Sequence, residues 1–322
     1  MSAFGKKRPR IRIALTSIFY PVFMGRYLWE ALLENPQIEV WSAGPFTGRW
    51  IPWNNGMDLP SEYVLKPNHP TAITNPPMVS YPMLERLKPW EPDLWIEVNA
   101  GLTALGKPTS APLAMVLTDP HVLTDFYRDQ KARADFVFTM QSPYKQPGEI
   151  LLPYAYSRRW HTQTLIPFEQ RKYDAALLGL QYGNRNALMG ALAAKGLKLA
   201  YQLGPAYDDA KRIYHDTRIG LNWSSLQDTT ARCFELMAFG LPAVMNRVPD
   251  LMTMFKDGQD FIGFDTLDQA LGAVDDLLLH PDKARQIGEN ARKAVEFHTW
   301  DWRVECLLTA CGLREGSYVP FK

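Results

Sequence analysis

Between Arg218 and Pro242 an apolar, strand-like run ends at Asn222, a polar turn follows, and a helical stretch begins near Asp228 or Thr229. Asp228 and Ser225 are residue types that cap a helix N-terminus, and Gly240 is the type that closes its C-terminus. A helix start presents unpaired N–H groups and the positive end of the macrodipole, which suits a phosphate. Arg232 and Glu235 lie three residues apart and so share a helical face with Asp228. On that face a guanidinium is available for an anion and a carboxylate for hydroxyl groups. An ordinary capped helix with a surface ion pair has the same pattern.

A second constellation, Thr118-Asp119-Pro120-His121, follows an apolar run at 113–117. A carboxylate beside an imidazole is able to deprotonate an acceptor hydroxyl, with Asp119 as the base or as the group orienting His121. The alternative is an N-cap aspartate next to a packing histidine. Gly25, after the first strand, allows close backbone approach to a ligand or simply a helix entry. The loop Gly48-Arg49-Trp50-Ile51-Pro52-Trp53 sets aromatic rings beside a cation, which suits stacking on a sugar or an unpaired base. Arg158-Arg159-Trp160-His161 is a second basic-aromatic cluster.

The run R-x-F-E-x-x-A-x-G-x-P (Arg232, Phe234, Glu235, Ala238, Gly240, Pro242) resembles the donor-nucleotide motif of GT-B glycosyltransferases. Together with Ile219, Leu221, Asn222 and Ser224 before it, and His298-Thr299-Trp300 with Arg303 after it, it is similar to the CgeB-like group. That resemblance covers about 174–310. It implies two Rossmann-like domains facing a cleft, with the nucleotide-sugar held mainly by the second and the last helix crossing back to the first. It also implies that Glu235 binds the donor ribose, and that Gly179, Tyr182 and Arg185 form the loop near the diphosphate. Asn222, Ser224, Asp228, Thr229 and Arg232 complete the implied donor set. Gln227 stands where retaining relatives carry a glutamate eight residues before the ribose-binding one, so the paired-glutamate motif is incomplete here.

These residues need a scaffold, and the sequence outlines one. Ile11–Ile18, a helix near 26–33 and a strand at 38–42 form a βαβ unit, and further strands are expected at 93–98, 113–117 and 135–140. Residues 44–82 read as loop, followed by a short helix at 83–87. A fresh βα series starts at about 173: strands 174–180, 197–202, 218–222 and 241–245, with helices at 184–194, 207–215, 229–239, 267–279 and 282–297 and a final helix ending near 311. The expected domains are 1–165 (acceptor), 166–302 (donor) and 303–322 (a helix and tail packing back on the first domain).

Composition sets the outer limits. The 322 residues carry 35 Lys+Arg against 34 Asp+Glu, a net charge of +1 that gives no general case for nucleic acid. No apolar run approaches the ~18 residues of a membrane span. Three cysteines without a C-x-x-C pair argue against a disulfide scaffold or structural zinc and for a reducing, cytoplasmic setting. There is no D-x-D triplet, P-loop, G-x-G-x-x-G, H-E-x-x-H or G-x-S-x-G. The expectation is a metal-independent glycosyltransferase with no cofactor besides its nucleotide-diphosphate sugar co-substrate. Donor charge would be met by Arg185 and Arg232, and acceptor activation would fall to Asp119 or His121. The acceptor is a carbohydrate or glycoconjugate, bound near Gly25, Arg49, Trp50 and Trp53. Two alternatives are a hydroxymethylated pyrimidine in DNA, flipped into the site, and a non-catalytic protein that kept the fold.

Overall fold

The computed structural model describes residues 10–51 and 57–316. The chain forms two compact α/β units. The first contains the described residues up to Met140, Gln146–Leu151 and the described residues from Val304 to Gly316; the second contains Gln141–Lys145 and Leu152–Arg303.

In the first unit β1 (Ile11–Ser17), α1 (Gly25–Glu34) and β2 (Ile38–Pro45) form the expected βαβ opening. Residues 44–82 hold more structure than their composition suggests. β3 (Trp50–Ile51) pairs antiparallel with β4 (Met57–Asp58), β5 (His69–Thr71) joins β2 at the sheet edge, and β6 (Met78–Ser80) leads into α2 (Tyr81–Leu87). Pro70 is tolerated because an edge strand leaves one side of its ladder unpaired. β7 (Leu94–Asn99), β8 (Thr103–Leu105, pairing with β6), β9 (Leu113–Leu117), α3 (Pro120–Gln130), β10 (Phe136–Thr139) and β11 (Ile150–Leu151) follow. The main sheet is parallel in the order β11-β10-β9-β7-β1-β2-β5. β7 and β9 are buried at every position, as strands covered on both faces should be. Trp41 and Trp95 belong to this core, edge to face at 6.1 Å, so they are unavailable for stacking on a ligand.

The second unit carries α4 (Arg158–His161), β12 (Tyr173–Leu178), α5 (Gly183–Ala194), β13 (Leu199–Gln202), α6 (Asp208–His215), β14 (Thr217–Asn222), α7 (Ala231–Phe239), β15 (Ala243–Asn246), α8 (Pro249–Met254), β16 (Ile262–Phe264), α9 (Leu267–Leu279) and α10 (Pro281–Ala294). Its sheet is also parallel, in the order β13-β12-β14-β15-β16. α11 (Trp300–Ala310) begins in this unit, and from Val304 its residues group with the first. Both units are Rossmann-like, the architecture of the GT-B fold.

The run from His298 to Arg303 has a clear local task. Arg303 is fully buried, and its guanidinium donates to the carbonyls of Pro153 (2.8 Å) and Tyr154 (3.0 Å) and meets His298 Nδ1 at 2.9 Å. Burial first, and the Arg303 charge second, push the His298 pKa down to about 3, so the ring is neutral and accepts from the guanidinium. Tyr156 bridges Thr299 through backbone bonds, which fixes the start of α11 on the 153–156 segment.

Candidate functional site

In the second sheet β12 continues to β13 on one side while β14 lies on its other side. The carboxyl ends of β12 and β14 therefore flank a topological switch point, where open α/β sheets form their ligand crevice. Gly179, Tyr182 and Arg185 follow β12; Asn222, Ser224, Asp228, Thr229 and Arg232 end or follow β14. The strand order thus brings two sequence-distant sets of candidate residues to one edge.

Two arginines, Arg185 buried and Arg232 half-buried, meet there on one amide oxygen. Asn222 Oδ1 accepts from Arg232 Nη1 at 2.9 Å and from Arg185 Nη2 at 3.5 Å, with Thr230 Oγ1 at 3.3 Å. Arg185 Nε donates to the Trp223 carbonyl (2.8 Å) and its Nη1 to the Leu180 carbonyl (2.9 Å), and the guanidinium lies over the Tyr182 ring at 4.2 Å. The Tyr182 hydroxyl donates to the same Trp223 carbonyl at 2.8 Å. Burial and then the neighbouring Arg232 push the Arg185 pKa down to about 10, which leaves it cationic at neutral pH. Two like charges are thus held together by a neutral acceptor, a state that an incoming anion relieves.

Gly179 makes this approach possible. Its φ is +127°, and a Cβ built there would lie 2.1 Å from Arg232 Nη2. Any other residue would strain the backbone and displace the guanidinium.

The loop after β14 is tied down differently from the sequence expectation. α7 starts at Ala231, with Thr230 at its N-cap and no side-chain capping bond, so neither Ser225 nor Asp228 caps it. The Asp228 carboxylate instead accepts from the Leu226 N–H (3.2 Å), and Thr229 exchanges two hydrogen bonds with the Gln141 side-chain amide (2.9 and 3.1 Å). These bonds hold 228–229 outside the helix, so Asp228 does not share the helical face of Arg232 and Glu235. Ser224 N–H donates to Asn246 Oδ1 at 2.7 Å. Gln141 and Asn246 were not singled out from sequence; their only signal was position, Gln141 just past β10 and Asn246 at the end of β15. Gly240 closes α7 with φ +75°, as its type suggested.

Glu235 lies one turn beyond Arg232, and the buried Tyr214 hydroxyl experiences the charge of both. The nearest charged-group partner of its carboxylate is His161, with Nε2 3.6 Å from Oε1. The reading of 158–161 as a basic-aromatic cluster carried no sign of this approach. His161 and Trp160 are buried, Trp160 packing on Tyr207 at 4.6 Å.

In the first unit the switch point lies between β1 and β7. Asp119 follows β9, the strand beside β7, and is exposed at the N-cap of α3. Its backbone is left-handed (φ 49°, ψ 48°), a sparsely populated state for a residue with a Cβ and one that concentrates at functional sites. The Asp119 side chain does not cap the helix. Its charge reaches Tyr20, in the loop after β1, whose hydroxyl is held protonated first by burial and then by Asp119. His121 is half-buried in the first turn of α3.

The adjoining edge is braced by Glu97, a fully buried carboxylate. It accepts from Tyr81 (2.8 Å), Asn99 Nδ2 (2.7 Å) and both Nη atoms of Arg133 (3.1 and 3.2 Å). Asn99 Oδ1 in turn accepts from the N–H groups of Gly101 and Leu102, fixing the turn after β7. Gly25 is buried at the start of α1, where a Cβ would lie 2.7 Å from Val98 Cγ1; its geometry is that of close helix–strand packing. Arg49 pairs with Asp58 at 3.0 Å, and Trp50 beside it is 48% exposed. Trp53 lies outside the described residues. Gly25, Arg49 and Trp50 are thus spread over α1 and the β3–β4 hairpin.

Among the described residues no group of three or more His, Cys, Asp or Glu is placed to hold a metal ion, and no helix is long and apolar enough to cross a membrane. Cys233, Cys306 and Cys311 are free thiols.

Comparison with known proteins agrees with this architecture. Residues 161–309 match the family model described as glycosyl transferase-like. No curated protein matches the chain by sequence. Among solved structures, sucrose-phosphate synthase from Thermosynechococcus elongatus is 13% identical with a TM-score of 0.60, over 94% of this chain and 98% of that one. The Anabaena protein Alr3699/HepE, in complex with UDP and glucose, is 10% identical with a TM-score of 0.64, over 94% and 100%. An alpha-glucosyltransferase in complex with UDP-glucose and DNA is 11% identical with a TM-score of 0.57, over 90% and 96%. At these identities the likeness establishes the fold.

Proposed function

We propose that the chain is a glycosyltransferase that moves a sugar from a nucleotide-diphosphate donor to a hydroxyl of a carbohydrate or glycoconjugate. The observation that carries this reading is the Asn222-clamped pair Arg185 and Arg232 at the switch point of the second sheet, one helical turn from Glu235. A diphosphate matches two adjacent cations, and a carboxylate matches a ribose diol. The glycosyl transferase-like match over 161–309 includes all three residues. The kinship with the CgeB-like group and the reducing, cytoplasmic setting are parts of this proposal, resting on the sequence resemblance and on the free thiols.

In the reaction Arg185 and Arg232 stabilise the negative charge that grows on the leaving diphosphate, the task a divalent cation performs elsewhere. We assign the acceptor proton to Asp119. Its exposed carboxylate stands at the carboxyl edge of the first sheet on a strained backbone, with His121 and Tyr20 as neighbours. The test is release of nucleoside diphosphate from UDP-sugars in the presence of an oligosaccharide mixture, without added metal. Turnover by the wild type, abolished in Asp119→Asn with donor binding intact, supports the reading. Undiminished turnover in that variant removes Asp119 from the mechanism.

A second reading, transfer to a modified base in DNA, draws on the exposed Trp50 beside Arg49 and on the fold shared with the DNA-bound alpha-glucosyltransferase. The Arg49–Asp58 pair and the near-neutral charge weigh against it. Phosphate contacts make affinity fall steeply with salt, whereas a neutral glycan barely responds.

A further inference from the structure

We infer that His161 is a positioning residue that orients Glu235 for the donor ribose, an assignment that rests on the nucleotide-sugar reading above. The backbone fixes the tautomer. Ser157 N–H donates to His161 Nδ1 at 2.9 Å, so in the neutral ring Nδ1 is the acceptor and the proton sits on Nε2. That Nε2–H is the atom 3.6 Å from Glu235 Oε1. The separation is too long for a direct hydrogen bond, so in this state the ring acts on the carboxylate as an oriented dipole.

The ring has little freedom to turn. His161 is 6% exposed and meets Phe239, on the same helix as Glu235, edge to face at 5.9 Å and 80°. Ser157 and Phe239 thus hold the imidazole from two sides, and its third side faces the carboxylate. The Glu235 side chain keeps 20% of its surface exposed, so a ligand hydroxyl still reaches it. Tyr214, which also senses this carboxylate, bonds to Arg232, and Arg232 in turn donates to Asn222. A carboxylate that must accept from two vicinal hydroxyls gains from being held in one rotamer before the ligand arrives, because less freedom is lost on binding.

The test compares UDP with 2′,3′-dideoxy-UDP by calorimetry on the full chain and on three variants. A hydrogen bond to a charged group sets the expectation that the wild type prefers UDP roughly 10–100-fold. His161→Asn keeps an acceptor near Ser157 and withdraws the donor from Glu235. His161→Gln returns an N–H to the Nε2 position.

The inference predicts that His161→Asn shrinks the UDP preference toward that of Glu235→Ala, leaves dideoxy-UDP binding unchanged, and is rescued by His161→Gln. Equal weakening of both nucleotides in His161→Asn would show a purely structural histidine and overturn the proposal. An unaltered preference would overturn it as well. If Glu235→Ala itself leaves the preference intact, the ribose assignment of Glu235 fails and the role of His161 falls with it.

Discussion

Replacing Asn222 with Asp separates the electrostatic task of the arginine pair from its geometry. The two side chains are nearly isosteric, so the hydrogen bonds from Arg232 (2.9 Å) and Arg185 (3.5 Å) persist, now to a charged oxygen. A unit charge about 6 Å from a phosphate, at an effective dielectric of about 20, costs ~3 kcal/mol of attraction, or roughly a hundredfold in affinity. The same charge relieves the repulsion between the two neighbouring guanidiniums. Part of that gain offsets the desolvation of the new carboxylate, so the ligand-free protein is expected to gain up to about 1 kcal/mol. The variant should therefore melt at the wild-type temperature or higher and bind nucleoside diphosphates far more weakly. Calorimetric titration with UDP and GDP, beside a thermal melt without ligand, reads both effects. Unchanged affinity in a folded Asn222→Asp protein would refute the idea that the pair faces the diphosphate.

Other consequences follow from single residues. Asp119→Asn should lower turnover by roughly 10²–10⁴-fold, the range for loss of a general base, and leave donor affinity within about twofold; steady-state rates beside a binding isotherm check both. Gly179→Ala forces a left-handed alanine and a Cβ against Arg232, so it should lose about 1–3 kcal/mol in a denaturant melt and also lose nucleotide binding. His298 gives a stability signature in acid. Its folded pKa of about 3 lies below its ordinary 6.5, so its contribution is complete above about pH 6.5 and is lost as pH falls toward 3. The slope is at most ~1.4 kcal/mol per pH unit. A pH series of urea midpoints should flatten in His298→Gln; an unchanged slope would mean that His298 is not buried as a neutral acceptor.

What the sequence disclosed and what it hid have physical causes. Apolar runs ending in Asn222 or preceding Asp119 announce strands whose carboxyl ends carry polar residues, so both sheets and the places of the candidate residues along them were legible in order. The start of α7 was not. Asp228 has the right type for a cap, but its side chain turns back to Leu226, and Thr229 is claimed by Gln141, 88 residues away. The His161–Glu235 approach is equally non-local, and a histidine beside two arginines reads as surface until burial shows otherwise. The short elements β3 to β6 escaped detection because strands of two or three residues have no measurable alternation. Trp41 and Trp95 are core, and only contacts across the sheet reveal it.

The central claim is that the carboxyl edge of the second sheet holds a nucleoside diphosphate through Arg185, Arg232 and Glu235. The most direct measurement is a thermal-shift panel of UDP, GDP, CDP, ADP and TDP and their common sugars, without added metal, on wild type and Glu235→Ala. At one hundred times the dissociation constant a ligand stabilises by about 2.7 kcal/mol, well within detection. The account predicts a selective shift with one nucleotide and its loss in Glu235→Ala. A flat panel with the wild type, or an equal shift in the variant, would contradict it.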